Sequence, residues 1–527
     1  MIVGARHRHR GWVCAQRSQA SCCAPAASAA PRAMRAFGAR GAPKMRTRTS
    51  KLEASSSRDD VEANILGVAD RAAVQDEEGG GSAILHVFAA AFGALAFGYH
   101  MGVLNGPLAN AAQSVGVGDS INAQGLMVSS GLVGATIGSL GCGRIADAIG
   151  RRSALSLCAL PLAIGPALCA ASASLDSLAF WAFVLGRLVI GIGIGIASSL
   201  CPLYIAEVAP AKLRAALGSV NQLSICVGIL LALGVNVAID SARWPTMFLI
   251  SIAPAAALWL GMRLSPESPR WLASQHRAQE ARSAGRRLWG HGPASDAQMA
   301  SLLAEDGKGA ASKGGATASI LDLPYRRVLS ICVLVYVIQQ LAGINSVVFF
   351  SSAIFKQVGI ASSTAASALI GAVNVFGTAV TCVIIERVGR KPLLYLSYAG
   401  MAASLGAMAL GSAASAPWGG PCVVLGTVAY ILSFALGAGP IPGLYVNEIA
   451  PEAVRGQASS VALGTHWIMN IIIGQAFLPL TRAYGIPTMY LFFAAVCVAS
   501  LVYTRRELVE TKGRSLDDIG RAMEGAS

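Results

Sequence analysis

Apolar runs of about twenty residues, long enough to match the hydrocarbon thickness of a bilayer, recur along this 527-residue chain, for example at 83–99, 178–201, 225–239 and 486–503. In lipid the backbone has no water to bond to, so each such run must satisfy its own hydrogen bonds as a helix. The runs and their breaks predict twelve spans, at 84–106, 122–142, 153–173, 178–201, 215–238, 244–263, 328–356, 365–386, 391–412, 421–447, 457–481 and 486–504. Only 13% of the residues are charged, about half the usual fraction for a soluble domain. A soluble enzyme or receptor is excluded on these grounds.

The net charge of +14 suggests a nucleic-acid partner until it is located. Residues 1–51 hold eleven Lys or Arg and no acid, so most of the excess belongs to the N-terminal extension, and no nucleic acid is expected as a partner. That extension is rich in Arg, Ala and Ser and has no continuous apolar core, which fits an organellar transit peptide rather than a secretory signal; a cytosolic tail or a mis-assigned start is the plainer alternative. Residues 52–82 turn acidic and end in Gly79-Gly80-Gly81, as a solvated linker does. The twelve cysteines lie mostly alone inside apolar runs and none shows CxxC spacing, so no metal and no cofactor is expected. Basic residues alternate between loops: Arg144, Arg151 and Arg152, then Lys212 and Arg214, the 263–327 loop, Arg387, Arg390 and Lys391, Arg455, and Arg505 and Arg506. By the positive-inside rule these loops, the two ends of the spanning region among them, share one side of the membrane.

The chain also repeats. Leu203-Tyr204-Ile205-Ala206-Glu207-Val208-Ala209-Pro210 returns as Leu444-Tyr445-Val446-Asn447-Glu448-Ile449-Ala450-Pro451, each followed four residues later by Arg214 or Arg455. Gly150-Arg151-Arg152 returns as Gly389-Arg390-Lys391. The offsets, 241 and 239 residues, are nearly equal. Two related halves of six spans imply a transporter with its substrate site between them near the midplane.

Five motifs point to one family. Gly143-Arg144-Ile145-Ala146-Asp147-Ala148-Ile149-Gly150-Arg151-Arg152 resembles the loop motif of the major facilitator superfamily. Pro202-Leu203-Tyr204 with Glu207, Pro210 and Arg214, Pro266-Glu267-Ser268-Pro269-Arg270-Trp271-Leu272, Gln339-Gln340-Leu341-Ala342-Gly343-Ile344-Asn345 and Val509-Glu510-Thr511-Lys512-Gly513 are similar to signatures of its sugar porters. Within that family the chain looks closest to plastidic glucose transporters, through Phe97-Gly98-Tyr99-His100, Gly439-Pro440-Ile441-Pro442 and His466-Trp467. The resemblance implies an all-α membrane protein of the major facilitator fold. Its parts would be a six-helix half at 83–263, a central loop with short helices at 264–326, a second half at 327–506 and a tail at 507–527. It implies a small sugar as cargo, the lipid bilayer as surroundings, and alternating access as mechanism.

A hexose offers hydroxyls that donate and accept, and apolar C–H faces; amides suit the first and aromatic rings the second. The resemblance assigns Gln222, Gln339, Gln340, Asn345 and Asn374 to sugar hydroxyls, with Trp467 and Asn470 nearby. The alternative for each amide is a bond between helices, away from any ligand. Where related carriers often place Trp after Gly-Pro-x-Pro, this chain has Gly443, while Pro440 and Pro442 remain as a gate or a static kink. Arg144, Asp147, Arg151, Arg152, Glu207 and Arg214 face Glu386, Arg387, Arg390, Glu448 and Arg455 across the two halves in the family reading, as a latch on the basic side that breaks when the halves rock. Arg187, inside span four, is expected to pair with a carboxylate because an isolated charge at mid-membrane costs several kcal/mol. His100 stands where proton-linked sugar symporters carry Asp, which favours facilitated diffusion, though a histidine can itself carry protons.

The expected function is therefore a hexose carrier, most simply of glucose, in the plastid inner envelope. A proton-coupled sugar or polyol symporter of another membrane is the alternative. A sugar sensor is disfavoured by a tail of only about twenty residues, and an enzyme by the lack of any nucleophile–base or metal-ligand cluster.

Overall fold

The computed structural model describes residues 80–210, 213–312, 320–357, 362–414, 416–451, 454–514, 518–519 and 521. The transit-like segment 1–51, nearly all of the acidic linker and Lys212 lie outside the described residues.

Twelve helices among the described residues are long and apolar enough to cross a membrane. In order they are Ser82–Gly102, Ile121–Ile149, Arg151–Ser174, Ala179–Val208, Ala216–Ala238, Ser241–Leu264, Leu323–Lys356, Thr364–Ile385, Arg390–Ala413, Gly419–Ile449, Arg455–Tyr484 and Ile486–Glu507. They are called spans one to twelve below. Spans two and four are each seven residues longer at their C-terminal ends than hydropathy suggests, reaching Ile149 and Val208. The polar residues Arg144, Asp147 and Glu207 therefore sit on helix that continues past the bilayer, where water or protein replaces lipid and apolar content no longer reports helix. The turn after span two comes at Gly150, whose φ of +93° suits glycine; Gly389 repeats it at +105° after span eight.

Small residues set the packing. Spans two and four approach so closely that a Cβ on Gly134 would stand 2.1 Å from the Leu188 carbonyl oxygen, and one on Gly191 2.0 Å from that of Gly131. Such contact between backbones is how helices associate in lipid, where apolar burial alone gives little drive.

Spans seven and ten are broken. In span seven, helix runs Arg326–Leu341, and resumes at Ile344–Gln357 after Gly343 at φ +96°. In span ten it runs Gly419–Leu436 and resumes at Ile441–Ile449. Pro440 caps the second segment and Pro442 lies in its first turn, where a missing N–H costs no helical bond. Between the halves lie three further helices, Pro269–Ser274, Ala278–Trp289 and Pro293–Ser312. The first two brace span ends: Trp271 Nε1 donates to the Asp147 carbonyl at 3.0 Å and Trp289 Nε1 to the Val208 carbonyl at 2.9 Å.

Candidate functional site

The two breaks face each other and satisfy each other. Gln339, from span seven, donates through Nε2 to the Ala438 carbonyl at 2.7 Å and the Gly439 carbonyl at 3.3 Å, both in the break of span ten. Tyr430, from span ten, donates its hydroxyl to the Ala342 carbonyl at 2.9 Å, in the break of span seven. Carbonyls released by a helix break in apolar surroundings must find such partners.

A chain of amides starts at Gln339. Its Oε1 accepts from Gln340 Nε2 at 3.1 Å, and Gln340 Oε1 accepts from Asn345 Nδ2. Gln340 Nε2 also lies 2.8 Å from His466 Nδ1 in span eleven. His466 Nε2 in turn lies 3.2 Å from Asn470 Nδ2, so each ring nitrogen faces a side-chain amide. Asn470, one turn further along, donates to the His466 carbonyl at 3.1 Å and leaves its own Oδ1 buried without a partner. The ring of His466 meets Tyr336 at 5.4 Å and Trp467 at 5.0 Å, and Trp467 meets Phe97 of span one at 5.7 Å. This aromatic row joins the halves, and Trp467 Nε1 is buried without a partner. A Cβ on Gly443 would stand 3.3 Å from the Tyr336 hydroxyl, so tyrosine from span seven occupies the neighbourhood of the ring missing from span ten.

Gln339, Gln340, Asn345, Trp467 and Asn470 gather around His466. Gln222 and Asn374 each lie one turn from the contact between Cys226 and Thr378 (3.3 Å) that joins spans five and eight. Because those spans run antiparallel, the two amides flank the contact on opposite sides. His466 itself was identified only as part of a family signature; the available signal was that an ionisable residue inside a span is a functional candidate by default.

Arg187 differs from expectation. It is buried, yet among the described residues it has no carboxylate; its guanidinium donates to the carbonyls of Met127 at 3.3 Å and His100 at 3.5 Å. The close packing of glycines around span four brings backbone oxygens within reach, and they do the work assigned to an acid. The ring nitrogens of His100 are both buried without a partner.

The ion pairs of the charged motifs found among the described residues lie within halves. Arg151 contacts Asp147 at 2.9 Å and Glu207 at 3.4 Å; Arg390 contacts Glu448 at 2.8 Å. Arg144, Arg214 and Arg387 have exposed side chains, Arg455 donates to the Ala450 carbonyl at 3.3 Å, and the Glu386 side chain lies outside the described residues. Two carboxylates that were quoted only as family signatures hold the turns beside these pairs. Glu267 Oε1 accepts from the backbone N–H of Arg152 and of Ser268, each at 2.9 Å. Glu510 does the same in the second half, for Arg390 at 3.0 Å, Lys391 at 2.9 Å and Lys512 at 2.9 Å.

Burial alone raises the Glu510 carboxyl, but the backbone N–H groups of Lys512, Arg390, Lys391 and Thr511 together hold it below its ordinary value of 4.5. Stabilisation from a depressed carboxylate is complete above the unfolded-state pKa and is lost as pH falls through the folded one. Thermal stability in detergent should therefore decline on acidification below pH 4.5, and Glu510→Gln should remove part of that acid limb. An acid limb identical in the two proteins contradicts the assignment.

The halves meet at the end away from the basic loops. There Asn105, just beyond span one, donates to the Val348 carbonyl at 2.6 Å and to Ser351 Oγ at 2.8 Å, and accepts from Ser352 Oγ. Ser351 and Ser352 bond in turn to Ser367 of span eight at 2.9 and 2.8 Å. Gln475 of span eleven accepts from Ser129 of span two at 3.0 Å. Toward the basic end, beside Gly141, Gly143, Gly218, Gly456 and Gly464, a Cβ would meet nothing within 4 Å.

Two six-span halves, closed at one end around a polar, aromatic-lined centre, define a membrane carrier of the major facilitator fold. The chain belongs to the family described as Sugar (and other) transporter, whose profile matches residues 86–523. It is 42% identical to plastidic glucose transporter 4 of Arabidopsis thaliana, over 91% of this chain and 86% of that one. It is 33% identical to the glucose transporter GlcP of Staphylococcus epidermidis, over 81% of this chain and 94% of that one. Among solved structures, the partially occluded inward-open form of the xylose transporter XylE from E. coli superposes with a TM-score of 0.71 at 26% identity, covering 82% of this chain and all of that one.

Proposed function

We propose that this sugar transporter is a facilitative hexose carrier, with glucose as its substrate, of the plastid inner envelope. The carrying observation is the amide chain of Gln339, Gln340 and Asn345, ending on His466 between two broken helices. It presents donors and acceptors together with aromatic faces, as a pyranose requires. The similarity to plastidic glucose transporters supports both the substrate and the compartment. Facilitated diffusion is supported by span one, which carries His100 rather than a carboxylate at the residue whose backbone carbonyl meets Arg187. The charged motifs act as the latch: the pairs held within each half here exchange partners across the halves when the basic side closes.

Proteoliposomes containing the protein should take up D-glucose and not L-glucose, equilibrating it without accumulation, and an imposed pH gradient should leave the end point unchanged. Equal uptake of the two enantiomers overturns the hexose assignment. Accumulation driven by the pH gradient selects proton-coupled symport, the reading favoured by the unpartnered ring of His100. Import of a fluorescent fusion of residues 1–82 into isolated plastids tests the compartment.

A further inference from the structure

The helix Ala278–Trp289 in the central segment divides sharply into two faces. Ala281, Ala284, Leu288 and Trp289 are buried against the protein, while Arg282, Ser283, Arg286 and Arg287 are exposed. Glu280, the only acid on the helix, is held by Arg277 through two bonds of 2.7 and 2.6 Å. Its charge is therefore spent locally. The exposed face forms an open groove of about 550 Å3, lined by Gln279, Arg282, Ser283, Arg286, Arg287 and His291, with no carboxylate among them.

The groove sits at the boundary of the bilayer. Arg287 donates to the carbonyl of Leu264 at 3.3 Å, and Leu264 is the last residue of span six. The preceding residue, Arg263, holds its guanidinium 5.2 Å over the exposed ring of Trp259, one turn back, the pairing typical of a membrane interface. Leu260 and Leu264 are 56% and 66% exposed, and Leu85 and Phe88 of span one, which packs on span six and on this helix, are 68% and 53% exposed. A basic groove thus opens directly above a lipid-facing apolar wall. That juxtaposition matches a molecule with a phosphate at one end and hydrocarbon at the other.

We propose that the groove of Arg282, Arg286, Arg287 and His291 is a binding site for the headgroup of an anionic glycerophospholipid, its acyl chains lying along Leu260 and Leu264. A soluble phosphate would use the arginines but leave the apolar wall without a role. Guanidinium groups suit a phosphodiester because they donate two parallel bonds to its oxygens. The site tethers the central segment to the membrane on the basic side, independently of the cargo.

The test is retention of phosphatidylglycerol against phosphatidylcholine by the full chain in native mass spectrometry, comparing the parent with Arg282→Gln/Arg286→Gln and with Arg505→Gln/Arg506→Gln. The last variant removes the same charge from the same side. Each near-surface arginine strengthens anionic-lipid binding about fivefold, so the groove variant should lose about thirtyfold in preference. The Arg505/Arg506 variant should keep the parent's preference. Equal losses in the two variants would show only a general surface field and overturn the site. So would displacement of phosphatidylglycerol by millimolar inorganic phosphate, which would assign the arginines to a soluble ligand.

Discussion

Gln340→Ala should lower D-glucose uptake in proteoliposomes, as kcat/KM, by roughly a hundredfold, while leaving the protein folded in detergent. Gln340 donates to Gln339 Oε1 and His466 Nδ1 and accepts from Asn345, so alanine removes three bonds at once. With three bonds of this amide made to sugar hydroxyls in the loaded carrier, at about 1 kcal/mol for each net bond, the loss is about 3 kcal/mol, a factor of roughly a hundred. Lost bonds that served only packing would appear as a lower melting temperature with near-normal transport. Transport lost with the melting temperature retained assigns the amide to the sugar path. A variant with the parent's transport kinetics would remove Gln340 from the site altogether.

Asn105→Ala should shift the resting population of the carrier from closed to open at the end away from the basic loops. Asn105 ties span one to the second segment of span seven through Val348, Ser351 and Ser352. Ser351 and Ser352 keep Ser367 as a partner, but the Val348 carbonyl loses its side-chain donor. A destabilisation of about 2 kcal/mol follows, enough to change the ratio of the two states about thirtyfold. Cysteine-directed spin labels near Ser120 and Tyr484, at the far ends of the two halves, would read the separation directly. A distance distribution unchanged by the substitution would show that the Asn105 network does not hold that end shut.

Much of this architecture was legible in the sequence because lipid imposes a length and an apolar composition on every span. The repeat of charged motifs likewise announced the two halves. The spans' continuation past the bilayer was not legible, since Arg144, Asp147 and Glu207 lie on helix that no longer faces lipid. Arg187 was expected to find a carboxylate and found the carbonyls of Met127 and His100, because only the fold reveals how close glycine packing brings one backbone to another. Gln339 carries a motif's name, yet its amide holds the break of span ten. Asn105 lies near the end of the expected span 84–106, and nothing in the sequence marks it as a tie between the halves. Glu267 and Glu510 were visible as letters of two signatures; that both grip the backbone after a left-handed glycine needed coordinates.

The exchange between Gln339 and Tyr430 has a mechanical consequence. Each holds the loose carbonyl of the other's helix. Neither span seven nor span ten can straighten or unwind alone without stranding an oxygen in a dry interior. The two interruptions are therefore one joint with a shared pin, and the second half bends there as a unit or not at all.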